Sequence, residues 1–378
     1  MRKSSIFIIM ILLTPLVLAL LVSASIEFNK TIYVLKTTYL LENIDNKTVT
    51  ISFDENNIKE FLIPDIEGWQ ALRNYTVYFN GVDITKKCSL KSYKGNKIIV
   101  IPSYTLKPKE KVNITTVQMI EVYWAESGLT ISRCSRSSAL LENVRSISIN
   151  SSALTYLGGF WTKHDNLTTW SKIIELKESI DADSDSLAEY VFKVSKWVAE
   201  NIAYNPGNFV INYPAKILSD RKGVCGDKSA LIVTLLRLKG IPSLIYFSIV
   251  YEENLFSKES SKYLNIEYRN FALHAFAVVC ADETYVPIDT TVYADVGKCP
   301  YIDGAGVNIS DKIIVFAQAS DSDPNEVLTF SLPSTELKAN IYKTIEKKNN
   351  PREKLLFPII VVVVFACITW LFARNIAE

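Results

Sequence analysis

The sequence predicts an α+β chain. An N-terminal antiparallel β-sandwich (residues 25–150) precedes a mixed helix-and-sheet domain (186–320), and an apolar segment lies at each end. Three observations predict it. Short runs rich in Val, Ile, Thr and Tyr fill the first part, helical spacing and strand runs share the second, and long uncharged stretches lie near both ends. The 378 residues suffice for two ordinary domains plus the end segments. The formal net charge of +1 gives no electrostatic footprint for nucleic acid.

The sandwich strands are expected at 31–41, 47–53, 76–79, 97–101, 111–118 and 121–124. Asn80-Gly81 between Phe79 and Val82 is the strongest hairpin signal, and Lys94-Gly95-Asn96 is a second turn. Short strands with regular turns suggest a sandwich that supports or binds. Residues 151–185 read as a connecting segment. Ser186 or Asp185 then caps a helix, with Glu189 in its first turn and Leu187, Val191, Val194, Val198 and Ile202 at helical spacing. Tyr204-Asn205-Pro206-Gly207 ends it. Cys225 opens a second helix, apolar nearly all round, which Gly240 and Pro242 terminate. Strands follow at 243–251, 271–280 and 284–289, and the polar stretch 252–270 reads as a surface loop. Residues 321–354 read as a stalk.

The ends set the expected location. Met1-Arg2-Lys3, the apolar run Ile6 to Val22 and then Val22-Ser23-Ala24 fit a secretory signal over residues 1–24, the alternative being an uncleaved anchor. Leu355 to Ala373 carries no charge, which is long enough for a transmembrane helix over 355–374. Lys343, Lys347, Lys348, Arg352 and Lys354 before it, against Arg374 after it, invert the usual charge bias. A long body translocates largely regardless of charge, so the N-terminus sets the topology. The expectation is a single-pass, or two-pass, cell-membrane protein with its body extracytoplasmic. Sequons begin at Asn29, Asn46, Asn74, Asn113, Asn150, Asn166 and Asn308, as suits an exported glycoprotein. Cys88, Cys134, Cys280 and Cys299 allow three pairings, and proximity favours Cys88–Cys134 with Cys280–Cys299.

The candidate chemistry lies at Cys225, His274 and Asp289. A cysteine at a helix N-terminus meets unpaired N–H groups and the positive end of the helix dipole, which favour the thiolate. The same amides suit an oxyanion. If Ala281-Asp282 forms a two-residue loop, His274 lies directly opposite Asp289, with Cβ atoms about 4.5–5.5 Å apart. A four-residue loop would put them on a diagonal. The carboxylate would orient the imidazole and stabilise its protonated form. The other histidine, His164, lies in the connecting segment.

These residues carry a resemblance. Trp197-Val198 to Tyr204, Gly223-Val224-Cys225-Gly226-Asp227, Gly240-Ile241-Pro242, His274-Ala275-Phe276 and Tyr285 to Thr291 resemble the transglutaminase-like superfamily of papain-like thiol enzymes. The likeness covers about residues 186–295. It implies a helix bearing the cysteine packed on an antiparallel sheet bearing His and Asp. The N-terminal sandwich also looks like modules preceding such domains in membrane-anchored prokaryotic proteins. Phe276 and Tyr285 stand where the family often has Trp. Tyr204, Asn212 and Tyr213 are candidates for a side-chain oxyanion donor.

The reading that follows is a cysteine peptidase or amidase, with a protein or peptide substrate, the membrane as its other partner, and no cofactor or metal. Amine transfer from glutamine to lysine uses the same triad and differs in what resolves the thioester. A non-catalytic adhesion or scaffold protein is the third reading.

Overall fold

The computed structural model describes residues 29–67, 69–124, 155–206, 210–281, 284–291, 312–328 and 337–348. Both terminal apolar runs lie outside these residues, as do Cys134, Cys299 and Cys367. No helix among the described residues is long and apolar enough to cross a membrane.

The N-terminal strands are β1 (Asn29–Asn43), β2 (Val49–Phe53), β3 (Gln70–Phe79), β4 (Val82–Asp83), β5 (Ser89–Tyr93), β6 (Asn96–Leu106) and β7 (Lys111–Trp124). Asn80 and Gly81 take φ of 47° and 82°, and Lys94 and Gly95 take 48° and 78°, so both turns have positive φ at their central residues. That is what a tight two-residue hairpin connection needs. The second half holds helices α1 (Leu167–Ala182), α2 (Leu187–Asn201), α3 (Pro214–Asp220), α4 (Cys225–Leu238) and α5 (Pro324–Leu328). Its strands are β8 (Ala203–Tyr204), β9 (Lys222–Gly223), β10 (Ser243–Ser260), β11 (Leu264–Ala281), β12 (Thr284–Ile288), β13 (Ile313–Ala319) and β14 (Leu337–Lys348).

One sheet runs through both halves. Its strand order is β13-β10-β11-β14-β1-β7-β3-β4, with β12 also pairing β11. The three strands β2-β6-β5 form the opposing layer of the sandwich. Tyr39, Leu41, Ile51, Phe53, Ile99 and Ile101 share the core between the layers. A second core lies beneath α4, where Leu231, Leu235, Ala275, Ala277 and Val279 are buried together.

The continuous sheet corrects two expectations. Residues 337–348 are not stalk. They form β14, antiparallel to β1 and parallel to β11, so the strand joins the halves. Its buried Leu337, Ala339, Ile341 and Ile345 recur at the spacing of a half-buried strand. Residues 252–270 are not a loop either. β10 and β11 extend as a hairpin arm through them, with a register shift between Tyr251 and Phe256. The connecting segment 151–185 contains α1, capped by the Asn166 side chain, which accepts the Thr169 N–H at 2.9 Å. α2 is capped by Ser186, whose hydroxyl accepts the Glu189 N–H at 3.1 Å.

Side chains from the N-terminal half also cover β13. Gln70 accepts from Val315 N–H and donates to Val315 C=O, both at 2.8 Å. Asn96 does the same to Gln318, at 2.7 and 2.8 Å. These amides stand in for a missing neighbour strand and leave that edge paired. Trp69 adds a bond from Nε1 to Ile313 C=O at 3.2 Å.

Arg237 fastens the end of α4. Its guanidinium is 2% exposed and donates to the carbonyls of Tyr156, Ser243 and Ser320 at 2.5–3.2 Å. It stacks 4.3 Å over the Trp161 ring. Burial pulls its pKa down to about 10. Arg237→Ala leaves three carbonyls unpaired and a void against Trp161. It should cost about 3–5 kcal/mol, read as a lower midpoint in urea unfolding at unchanged slope.

Candidate active site

The turn before α4 is built by close approach. A Cβ on Gly223 would lie 2.5 Å from Asp227 Cβ, and one on Gly226 would lie 2.8 Å from Ile211 Cδ1. Both flanking positions therefore require glycine for space. The same Gly226 Cβ would come within 3.9 Å of Ala275, so the start of α4 is pressed against β11. The Ser229 hydroxyl sits between the carbonyls of Cys225, at 2.8 Å, and Ala275, at 3.4 Å. That bond ties the first turn of α4 to the strand carrying His274.

Asp227 organises the turn, a role its sequence position did not reveal. Its carboxylate is 1% exposed and accepts the Val224 N–H at 2.9 Å and the Asn212 N–H at 2.7 Å. It thus caps α4 and fixes the 210–213 segment beside it. Burial raises its pKa, and the two backbone donors oppose that rise. Asn325 clasps Ile211 from the far side, accepting its N–H at 2.8 Å and donating to its C=O at 2.9 Å. Arg221, in the left-handed region at φ 53°, stacks 4.7 Å over Trp197 and steadies the approach to β9.

His274 and Asp289 meet, by a different register from the expected one. Ala281 pairs Thr284 and Ala277 pairs Ile288, so Asp289 falls opposite Phe276 rather than His274. The pair is a diagonal, still within side-chain reach. His274 Nε2 lies 2.6 Å from Asp289 Oδ2, and Asp289 Oδ1 accepts the Thr291 N–H at 2.8 Å. Both residues are buried, His274 at 8% exposure and Asp289 at 1%. With Nε2 on the carboxylate, Nδ1 is the ring nitrogen left for the half-buried Cys225 thiol, whose proximity helps to raise the His274 pKa. Burial pulls the His274 pKa down. The hydrogen bonds and charges of Asp289 and Cys225 outweigh it and raise the pKa to about 10. That balance favours the protonated imidazole.

Other residues crowd the site. Lys228 is 5% exposed; burial lowers its pKa and the nearby Asp289 charge opposes that. Phe276 lies 6.2 Å from the His274 ring and stacks on Trp69 at 6.0 Å and 11°. An indole from the N-terminal half therefore backs the aromatic two residues after His274. Of the oxyanion candidates, the Asn212 amide lies 3.4 Å from Asp227 and the Tyr213 hydroxyl donates to Asp165. Tyr204 is more than half exposed, and its partial burial, with Cys225 nearby, raises its pKa. His164 is apart from this group; its Nδ1 lies 2.7 Å from Thr162 C=O. Among the described residues, no group of three His, Cys, Asp or Glu is placed to hold a metal ion. Cys88 and Cys280 are not bonded to each other, and their favoured partners lie outside the described residues.

The helix, the hairpin and the three side chains invite comparison with known proteins. The family model of the transglutaminase-like superfamily matches residues 174–290. This stretch is a transglutaminase-like domain. The match contains Cys225, His274 and Asp289 and reaches back into α1. Among solved structures, the chain is similar to one from Cytophaga hutchinsonii described as a candidate cysteine protease. The identity is 11% and the TM-score 0.53, over 85% of this chain and 92% of that chain. The likeness is one of fold, and it extends well beyond the transglutaminase-like domain. The periplasmic domain of TgpA from Pseudomonas aeruginosa, bound to ethylmercury, is also similar, at 12% identity and TM-score 0.26, over 68% of this chain and 89% of that one. No curated protein matches the sequence.

Proposed function

We propose that the chain is a thiol hydrolase of amide or peptide bonds, working through a thioester on Cys225. The observation that carries this reading is the 2.6 Å His274–Asp289 pair beside a cysteine that opens a helix. The Cys225 thiolate adds to the substrate carbonyl carbon, and the carbonyl electrons move to oxygen. Backbone N–H groups at the start of α4 and the Tyr204 hydroxyl are the donors available to that oxyanion. The His274 imidazolium gives its proton to the departing amine as the C–N bond breaks. Water then attacks the thioester, His274 takes its proton, and the acid leaves as the C–S bond breaks and the Cys225 thiolate is restored. Asp289 holds the imidazole by Nε2 throughout.

Quenching the enzyme during turnover of a peptide amide should show an acyl adduct on Cys225 by mass spectrometry, with free acid as the product. An amide formed with an added amine, and no free acid, would make the chain an amine transferase instead. Absence of any adduct and product would sink the enzymatic reading. We further place the body outside the cytoplasm, held by the Leu355–Ala373 run. Deleting the chain from Leu355 onward should move it from the membrane pellet to the supernatant. A truncated protein that still pellets would point to an uncleaved N-terminal anchor.

A further inference from the structure

The N-terminal half walls the face of the sheet that bears His274. Side chains alternate along β11, so Ala275, Ala277 and Val279 face α4 while Phe276 and Val278 face away from it. On that far face they form a third core with Tyr246, Ile313, Val315 and Trp69. Among the described residues, Trp69 is the one buried member of this core that the N-terminal half supplies.

Trp69 is anchored at three atoms. Its backbone N–H donates to Ile66 C=O at 3.0 Å, and its C=O accepts the Tyr123 N–H at 2.9 Å. Its indole Nε1 donates to Ile313 C=O at 3.2 Å. The residue is 3% exposed, so the ring is a fixed surface in a close-packed interior. With its one N–H spent on Ile313, the indole acts on its neighbours by packing alone.

That packing reaches His274 through one ring. The indole stacks on Phe276 at 6.0 Å and 11°. Tyr246, opposite Phe276 on β10, meets the same ring edge-on at 5.8 Å and 87°. Phe276 is fully buried and lies 6.2 Å from the His274 imidazole at 33°. Asp289 falls opposite Phe276, two residues along from His274. The imidazole must therefore lean toward Phe276 to meet the carboxylate. The Phe276 ring is the wall it leans on, and Trp69 and Tyr246 fix where that wall stands. We propose that Trp69 is a positioning residue for the His274–Asp289 pair: by holding Phe276, it sets the tilt at which the imidazole meets the carboxylate. The N-terminal half is then a working part of the active site. The proposal deepens the thiol-hydrolase reading and rests on it.

The test compares variants of the full-length protein. Trp69→Leu and Trp69→Met remove the flat ring; the bulkier methionine covers the case in which the leucine variant does not fold. Each should lower kcat for a peptide amide about tenfold to a hundredfold, what a shift of about 1 Å at a reacting group costs. KM should stay within about twofold. Trp69→Phe keeps a ring on Phe276 and should recover most of the loss. Leu41→Ala is the control, since Leu41 is buried in the sandwich core, to which neither Trp69 nor Phe276 belongs. It should lower the unfolding midpoint as much and keep the wild-type kcat. Phe276→Leu combined with Trp69→Leu should be no worse than Phe276→Leu alone, because one acts through the other.

A second readout needs no turnover. The chain has two histidines, and the other, His164, lies beside a backbone carbonyl. With isotope-labelled histidine, the His274 Nε2–H shared with Asp289 should resonate far downfield. The ring-less variants should move or broaden that signal, and Trp69→Phe should return it. Unmoved His164 signals report that the fold is intact. A folded ring-less variant with wild-type kcat and an unmoved His274 signal overturns the proposal. So does a Leu41→Ala loss of kcat equal to that of Trp69→Leu. A wild type that turns over no amide fails the thiol-hydrolase reading, and the His274 signal then still decides the role of Trp69.

Discussion

Cys225→Ala should abolish amide turnover and leave the fold intact. The loss should approach that of removing the whole catalytic unit, about 10⁶ in kcat, because Cys225 carries the thioester and the Ser229 hydroxyl is engaged with the Cys225 and Ala275 carbonyls. Stability should barely change. The thiol is half-buried, so its removal opens no closed cavity, and alanine is the better helix former. The turn is held by Asp227, Gly223 and Gly226 rather than by the sulfur. Turnover of a peptide amide and the thermal unfolding midpoint together check this. Retained turnover in a folded variant would remove Cys225 from the chemistry.

His274→Ala should cost nearly as much, and Asp289→Asn about 10⁴ in kcat. The asparagine keeps the shape but not the charge that stabilises the imidazolium. Combining Cys225→Ala with His274→Ala should be no worse than Cys225→Ala alone, since the two act as one unit. Asp289→Asn also has a stability signature. The His274 pKa is raised from 6.5 to about 10 in the folded protein. A raised pKa gives stability that is fully present below about pH 6.5 and is lost as pH rises through about 10. Wild type should therefore exceed Asp289→Asn by most at pH 6, and the gap should narrow toward pH 10. Urea unfolding of both proteins across that range reads it, and a gap that widens with pH would contradict the ion pair.

The parts legible in the sequence were those whose cause is local. Asn80-Gly81 and Ser186 act within a few residues of themselves, and both act as their residue types require. Cys225 between two glycines ahead of an apolar run is local too. Its glycines serve close packing against Asp227 and Ile211, contacts that residue type alone does not name. β14 was hidden because its partners β1 and β11 lie far away in the chain, and its lysines lead into an apolar run. The arm at 252–270 was hidden because most of its side chains on β10 face water, leaving no alternation to read. The His274–Asp289 pairing was legible as a diagonal, but its register turned on a loop displaced by one residue. The parts played by Asp227, Asn325 and Trp69 arise from tertiary placement and left no signal of their own.

The central claim is that His274 activates Cys225 as the nucleophile, and the rate of Cys225 alkylation by iodoacetamide with and without His274 tests it most directly. In the wild type at about pH 7, labelling of Cys225, followed by mass spectrometry of its peptide, should be fast. The same measurement on folded His274→Ala should be about tenfold slower or more. A wild-type rate that His274→Ala leaves unchanged would contradict the account.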